Sequence, residues 1–269
     1  MSRFNLRFFN LIQTHGQDLS LTIPIGNIYA PIIDRAFPQI DHIGWRKAKG
    51  AQANYYTYIK QITAGDLIRL QEFLSLLHGL WVLTLTDHLK PYFKKELSEA
   101  YALDFNFEQG VEPLEYTRIG SLERQAKEKK TPAAVRELAK ELAAIIQRHP
   151  TLARADYIVA MPARPASRFH LPAELVKQVG HILKRPVGLT LTKTDHAKLK
   201  GLPIGKKLSA LQGKFHLGDS VKGKTIVVID DLYQSGASAW SLAKFLKENG
   251  AREVYALACV KSWRDTDNQ

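Results

Sequence analysis

The clearest pattern in the first part of the chain is a leucine stripe. Leu67, Leu70, Leu74 and Leu77 recur at helical spacing behind Thr63-Ala-Gly-Asp66. Thr63 is placed to cap that helix and Asp66 to sit at its positive end. Gly79 closes it, and Trp81–Thr86 predicts a strand. Pro91 then opens a predicted short helix that ends near Tyr101, while residues 20–60 predict short strands among loops.

From residue 131 the pattern becomes more regular. Thr131-Pro132 predicts a capped helix start, continued by Val135, Leu138, Leu142 and Ile145 and closed by Pro150. Four short apolar runs follow, at Tyr157–Met161, Val187–Leu191, Thr225–Ile229 and Val254–Val260. Helical stretches at Pro172–Lys184 and Ala237–Asn249 separate them. Continuous apolar strands alternating with helices predict an α/β fold, a parallel sheet flanked by helices. Ligands of such sheets bind at the carboxyl ends of the strands.

Charge divides the chain. Its 269 residues hold 38 Lys and Arg against 26 Asp and Glu, a net charge of +12. Residues 1–112 have 11 of each sign and 16 of the 25 aromatic side chains, whereas 113–269 have 27 basic against 15 acidic residues. Two domains are therefore expected: a charge-neutral, aromatic-rich α+β unit over 1–112 and a basic α/β unit over 113–269. An apolar share of 45% excludes a disordered chain. The single cysteine, Cys259, excludes an internal disulfide and a Cys-rich zinc module, and its place in a strand predicts a small core residue. The most apolar uncharged stretch, Phe73–Thr86, falls short of the ~20 residues a membrane helix needs. With no leader-like N-terminus, the expectation is a cytoplasmic protein without a membrane partner.

The stretch richest in chemistry is Ile226-Val-Val-Ile-Asp-Asp-Leu-Tyr-Gln-Ser-Gly-Ala-Ser238. Four aliphatics make a buried strand, Asp230 and Asp231 stand at its carboxyl end, and Ser-Gly-Ala-Ser opens the next helix. A helix start with free N–H groups, a glycine and two hydroxyls can cradle a phosphate. Two carboxylates would repel a phosphate, so they suit sugar hydroxyls, and the pair of features describes a ribose 5-phosphate. The plainer alternative, a buried strand whose Asp and Ser only cap a helix, fits the local pattern equally.

In this order of features the chain resembles the type I phosphoribosyltransferases, and among them the ComF-like members, over residues 113–264. Tyr157–Pro165 looks like their first core strand and pyrophosphate loop, and Arg168–Leu175 like the start of the following helix. The resemblance implies that Asp230 and Asp231 hold the ribose hydroxyls of phosphoribosyl pyrophosphate (PRPP). Gln234, Ser235, Gly236, Ala237 and Ser238 would wrap its 5-phosphate, Ala163 and Arg164 would contact pyrophosphate, and Mg²⁺ would bridge pyrophosphate and ribose. Gln234 stands where the family has a smaller residue, and the family's zinc module is absent.

Lys193 through Phe215 looks like that family's mobile hood loop. The eight lysines of residues 193–224 against Asp195 and Asp219 give +6 within 32 residues. Lys193, Lys198, Lys200, Lys206 and Lys207 could stabilise charge on a leaving pyrophosphate, line a solvated loop, or contact nucleic-acid phosphates. In the first part, Trp45-Arg-Lys-Ala-Lys49 and Tyr55-Tyr-Thr-Tyr58 place cations beside aromatics, which single-stranded nucleic acid binding can use and core tyrosines explain as well. The nine histidines show no metal-ligand spacing, and His170 and His196 read as surface residues beside the site. The expected function is Mg²⁺-dependent phosphoribosyl transfer from PRPP to a nucleophilic base or amine. The alternative is a non-catalytic protein of a competence, stress or defence system that senses nucleotides or associates with nucleic acid. A homodimer is left open.

Overall fold

In the computed structural model, which describes residues 10–14, 18–49, 54–163, 169–185, 187–194 and 202–263, the chain divides into two units. The first comprises Met1–Trp81 with Arg148–Ala153, the second Val82–Gln147 with Arg154–Gln269. The division at 81/82 corrects the join expected at 112/113. Residues 82–112 belong to the second unit because they supply a strand to its sheet.

The first unit is an antiparallel sheet with helices on one face. Its strands are β1 (Asn10–Thr14), β2 (Asp18–Ile23), β3 (Asp41–His42), β4 (Arg46–Lys47) and β5 (Tyr55–Gln61). The order is β1-β2-β5-β3, with β4 also paired to β5. Alternation decides the faces: Leu21, Ile23, Thr57 and Ile59 are buried, while Tyr58 and Lys60 between them are exposed. Helix α1 (Gly26–Ala36) packs on β2 and β5. Helix α2 (Ala64–His78) starts as expected, with the Thr63 hydroxyl accepting from the Asp66 amide at 3.0 Å. Helix α1 was not expected, because Pro31 lies in its middle. A proline there removes one helical hydrogen bond, yet buried Tyr29, Ile32 and Ile33 hold the helix against the sheet.

In the second unit a five-stranded sheet has the order β6-β7-β12-β11-β8. These strands are β6 (Trp81–Val82, at the join), β7 (Glu99–Phe105), β8 (Tyr157–Ala160), β11 (Thr225–Tyr233) and β12 (Glu253–Lys261). The pairings β7–β12, β12–β11 and β11–β8 are all parallel. Helices α3 (Arg118–Glu128), α5 (Leu171–Leu183) and α7 (Ala237–Glu248) pack on these strands, and α4 (Pro132–Arg148) links α3 to β8. The α/β class with a parallel sheet flanked by helices is thus observed.

Three local expectations change. The helix predicted from Pro91 is a run of single turns pinned by buried Leu89, Phe93 and Leu97, and its predicted end is strand β7. The strand predicted at Trp81–Thr86 stops at Val82. Val187–Leu191 does not join the parallel sheet. Instead β9 (Leu191–Lys193) pairs antiparallel with β10 (Phe215–Leu217), and α6 (Ile204–Leu211) lies between them in sequence. The fourth parallel strand is β7, which precedes the expected series.

Candidate functional site

Strand β11 outruns its neighbour. Ile226–Ile229 are buried and paired on both sides, to β12 and to β8. Strand β8 ends opposite Ile229, whereas β11 continues beside β12 as far as Tyr233 opposite Lys261. Asp230 and Asp231 fall in this overhang, where one edge of β11 is no longer covered by β8.

The two carboxyls are shifted in opposite directions. Burial raises the Asp230 carboxyl well above the usual range, and the charge of Asp231 raises it further. Burial also opposes ionisation of Asp231, but the Lys127 ammonium outweighs it and keeps that carboxyl below the usual range. Lys127 Nζ lies 2.7 Å from Asp231 Oδ2 and 3.4 Å from Glu123 Oε1, both approached from helix α3. Desolvation works against the charge on Lys127 and is overcome by Asp231 and Glu123, so its pKa is raised. Burial raises Glu123, against the pull of Lys127. Within the pair, protonation is thus favoured at Asp230 and ionisation at Asp231. Such a pair offers a donor and an acceptor to adjacent hydroxyl groups.

The turn after β11 is built for close approach. Gly236 caps α7 with φ 86°, a left-handed conformation that disfavours side chains. A Cβ there would also drive into the Tyr233 hydroxyl and come within 3.2 Å of Trp240 Cδ1. Those two rings are joined, the Trp240 indole N–H donating to Tyr233 Oη at 3.2 Å. The Ser235 hydroxyl accepts from the Ala237 amide at 3.4 Å, and Gly236 gives α7 no side-chain cap. Below the turn, Lys261 is 6% exposed and donates to the Gln234 carbonyl at 2.9 Å and the Ser262 carbonyl at 3.0 Å. Gln234 and Ser238 are half-buried, and Ser235 and Ala237 buried.

A cavity of about 570 Å³ opens between β8, α5 and residues 187–193, and Ala163, His170 and Lys193 line it. Burial lowers the His170 pKa, opposed by Asp231 and assisted by Lys193 and Lys127, so these groups share one electrostatic neighbourhood. His170, expected as a surface residue beside the site, is half-buried and lines this cavity. The lysines expected to act together are not alike. Lys206 is exposed on α6, whereas Lys207 on the same helix is 3% exposed. Arg164, Lys198, Lys200 and His196 lie outside the described residues. Cys259 is buried in β12, as expected, with its thiol pKa raised by burial.

Sequence reasoning passed over Lys127, Glu123 and Lys261. The first two resemble any i,i+4 pair on an exposed helix. Lys261 did carry a signal: a lysine ending the apolar run Val254–Val260 has to place its ammonium somewhere specific.

Among the described residues no group of three or more His, Cys, Asp or Glu could hold a metal ion. Asp231, the acid of the pair whose ionisation is favoured, still fits Mg²⁺ that arrives with phosphate oxygens, since this ion takes one or two protein carboxylates beside its ligand and waters. No described helix is long and apolar enough to cross a membrane.

No family model matches the chain. A ribose-phosphate pyrophosphokinase from Nostoc sp. is 52% identical over 42 residues, which is 16% of this chain and 12% of that protein. The chain thus matches a small part of this curated relative's length. Among solved structures, the chain is similar to a hypoxanthine phosphoribosyltransferase from Staphylococcus aureus, at 15% identity and a TM-score of 0.32, over 52% of this chain and 72% of that one. It is also similar to the Trypanosoma cruzi hypoxanthine phosphoribosyltransferase, at 11% identity and a TM-score of 0.33, over 48% of this chain and 64% of that one. At such identity and overlap these structures assign this chain no substrate and no residue role.

Proposed function

We propose that the second unit binds PRPP with Mg²⁺ and transfers its 5-phosphoribosyl group to a nucleophilic base or amine. The observation that carries this reading is the continuity of residues 230–238. A strand end with two adjacent acids, their carboxyls shifted in opposite directions, passes directly into a left-handed glycine turn at the start of a helix. The spacing suits a sugar at one end and its phosphate at the other. The short stretch shared with a ribose-phosphate pyrophosphokinase supports the same ligand class. The ComF-like likeness over residues 113–264 belongs to this proposal.

In this reading Asp230 and Asp231 orient the ribose through its hydroxyls, and residues 234–238 receive the 5-phosphate. Ala163 lies in the loop after β8, where pyrophosphate would sit, and Lys193 lines the adjoining cavity. The bond from C1 of the ribose to pyrophosphate breaks while a bond from C1 to the acceptor nitrogen forms, and the acceptor gives up a proton. Bound Mg²⁺ would neutralise charge gathering on the pyrophosphate. The protein's part is to position reactants and stabilise charge, so the reaction needs no protein nucleophile.

One observation favours a second reading, a nucleotide-sensing protein without turnover. Asp231 already has a partner in Lys127, and a ribose hydroxyl would have to share or displace it. Calorimetry with PRPP and Mg²⁺, followed by a pyrophosphate-release assay across base and amine acceptors, separates the readings. Binding with release supports transfer, and binding without release for every acceptor supports sensing. Absence of binding overturns transfer.

A further inference from the structure

The first unit presents a sheet face that the proposed chemistry leaves unused. On β5, Tyr56, Tyr58 and Lys60 alternate with buried Thr57 and Ile59, so they share the face opposite α1. Tyr58 is 40% exposed, and its ring meets that of Tyr56 edge to face at 5.9 Å. Strand β4 brings Arg46 directly across from Tyr56, and Thr22 on β2 lies across from Tyr56 on the other side. Cations and tyrosines from separate stretches of the sequence are therefore neighbours in one row.

The ionic partners of this unit are arranged unevenly. Asp66 is taken by Arg69 and Gln39, and Asp34 accepts from Trp45 and faces His42. Asp41 pairs with Lys60. Arg46 and Lys47 are exposed and have no acidic partner among the described residues. The revised join also changes the charge: Met1–Trp81 holds 8 Lys and Arg against 5 Asp and Glu, whereas 82–112 is net acidic. The apparent neutrality of the first 112 residues came from adding two oppositely charged pieces.

We propose that this face, with Tyr56 and Tyr58 as stacking platforms and Arg46, across from Tyr56, as a phosphate contact, binds single-stranded nucleic acid. The exposed Tyr58 ring, backed by half-buried Tyr56, can stack on bases only where the bases are unpaired, while the Arg46 guanidinium meets a phosphate. A duplex offers this surface its phosphates but hides its base faces, so single strands are selected. The site lies in the first unit and does not depend on the ribose-phosphate reading of the second.

The test is fluorescence anisotropy with the full-length protein and labelled oligo(dT), oligo(U) and a duplex of equal length, each of roughly 20 nucleotides. Both single strands should bind at least about tenfold more tightly than the duplex. Tyr58→Ala, at an exposed position where truncation opens no cavity, should weaken single-strand binding about fivefold or more. The double variant Tyr56→Ala/Tyr58→Ala should weaken it further. Arg46→Gln should reduce the slope of log affinity against log salt by about 0.7. PRPP binding by the same variants should be unchanged, so failure here and failure of the transferase reading are read separately. Comparison of oligo(dT) with oligo(U) tells DNA from RNA. Absence of wild-type binding to either strand, equal binding of the duplex, or undiminished binding by folded Tyr58→Ala overturns the proposal.

Discussion

Lys127 decides the protonation state of Asp231, and so the chemistry the acid pair can offer. Without the ammonium, burial would dominate at Asp231 and raise its pKa, as it raises that of Asp230. Lys127→Met should therefore make ribose 5-phosphate affinity fall as pH is lowered through the range where Asp231 then protonates. The wild type, whose Asp231 stays ionised, should change little over that range, and calorimetry at several pH values reads the difference. Lys261 acts through backbone instead. Lys261→Met would strip the buried ammonium from the carbonyls of Gln234 and Ser262, a loss of about 1–3 kcal/mol. Thermal melting should show lower stability, and 5-phosphate binding should weaken. At Gly236, any side chain meets both a left-handed φ, costing about 1–2 kcal/mol, and the Tyr233–Trp240 pair. Gly236→Val should abolish ribose 5-phosphate binding.

Elements show how much of this was legible in the chain. The strand-turn-helix at 225–248 could be read because four consecutive aliphatics, two acids and a Ser-Gly turn each demand a different environment. Helix α4 could be read from Thr131-Pro132 and the period behind it. Strand β7 could not, since Glu99 and Asp104 break its apolar run; the structure buries Glu99 and satisfies it with the Tyr101 hydroxyl at 2.7 Å. Helix α3, which delivers Lys127, has only a modest apolar face and starts at Thr117, whose hydroxyl accepts from the Gly120 amide at 2.9 Å. The acids were thus visible before their partner was. Just beyond α4, His149 is fully buried, its ring 4.8 Å from that of Phe73 and its Nδ1 accepting from the Thr151 and Leu152 amides. Burial lowers its pKa to about 3. A histidine held neutral binds its proton more readily when unfolded, so its contribution is intact above the unfolded value near 6.5 and is lost as pH falls towards about 3. Chemical denaturation at stepped pH should show that loss, and His149→Gln should flatten the slope between those limits.

At the scale of the molecule, the join between the two units lies elsewhere than charge and aromatic content suggest, because these were counted by stretch rather than by sheet. The chain enters the second unit at Val82, returns to the first for Arg148–Ala153, and leaves it again. That detour matters for inheritance as well as for stability. A domain made of one uninterrupted segment can be duplicated, fused or lost by two breaks at its borders. Here a gene fragment coding for 82–269 would still carry the short segment Arg148–Ala153 that belongs to the other unit, with His149 deprived of Phe73. A fragment beginning at Pro113 would also lack β7, which is paired with β12. Neither unit can be exchanged as a clean cassette, so recombination within this gene should preserve the two together.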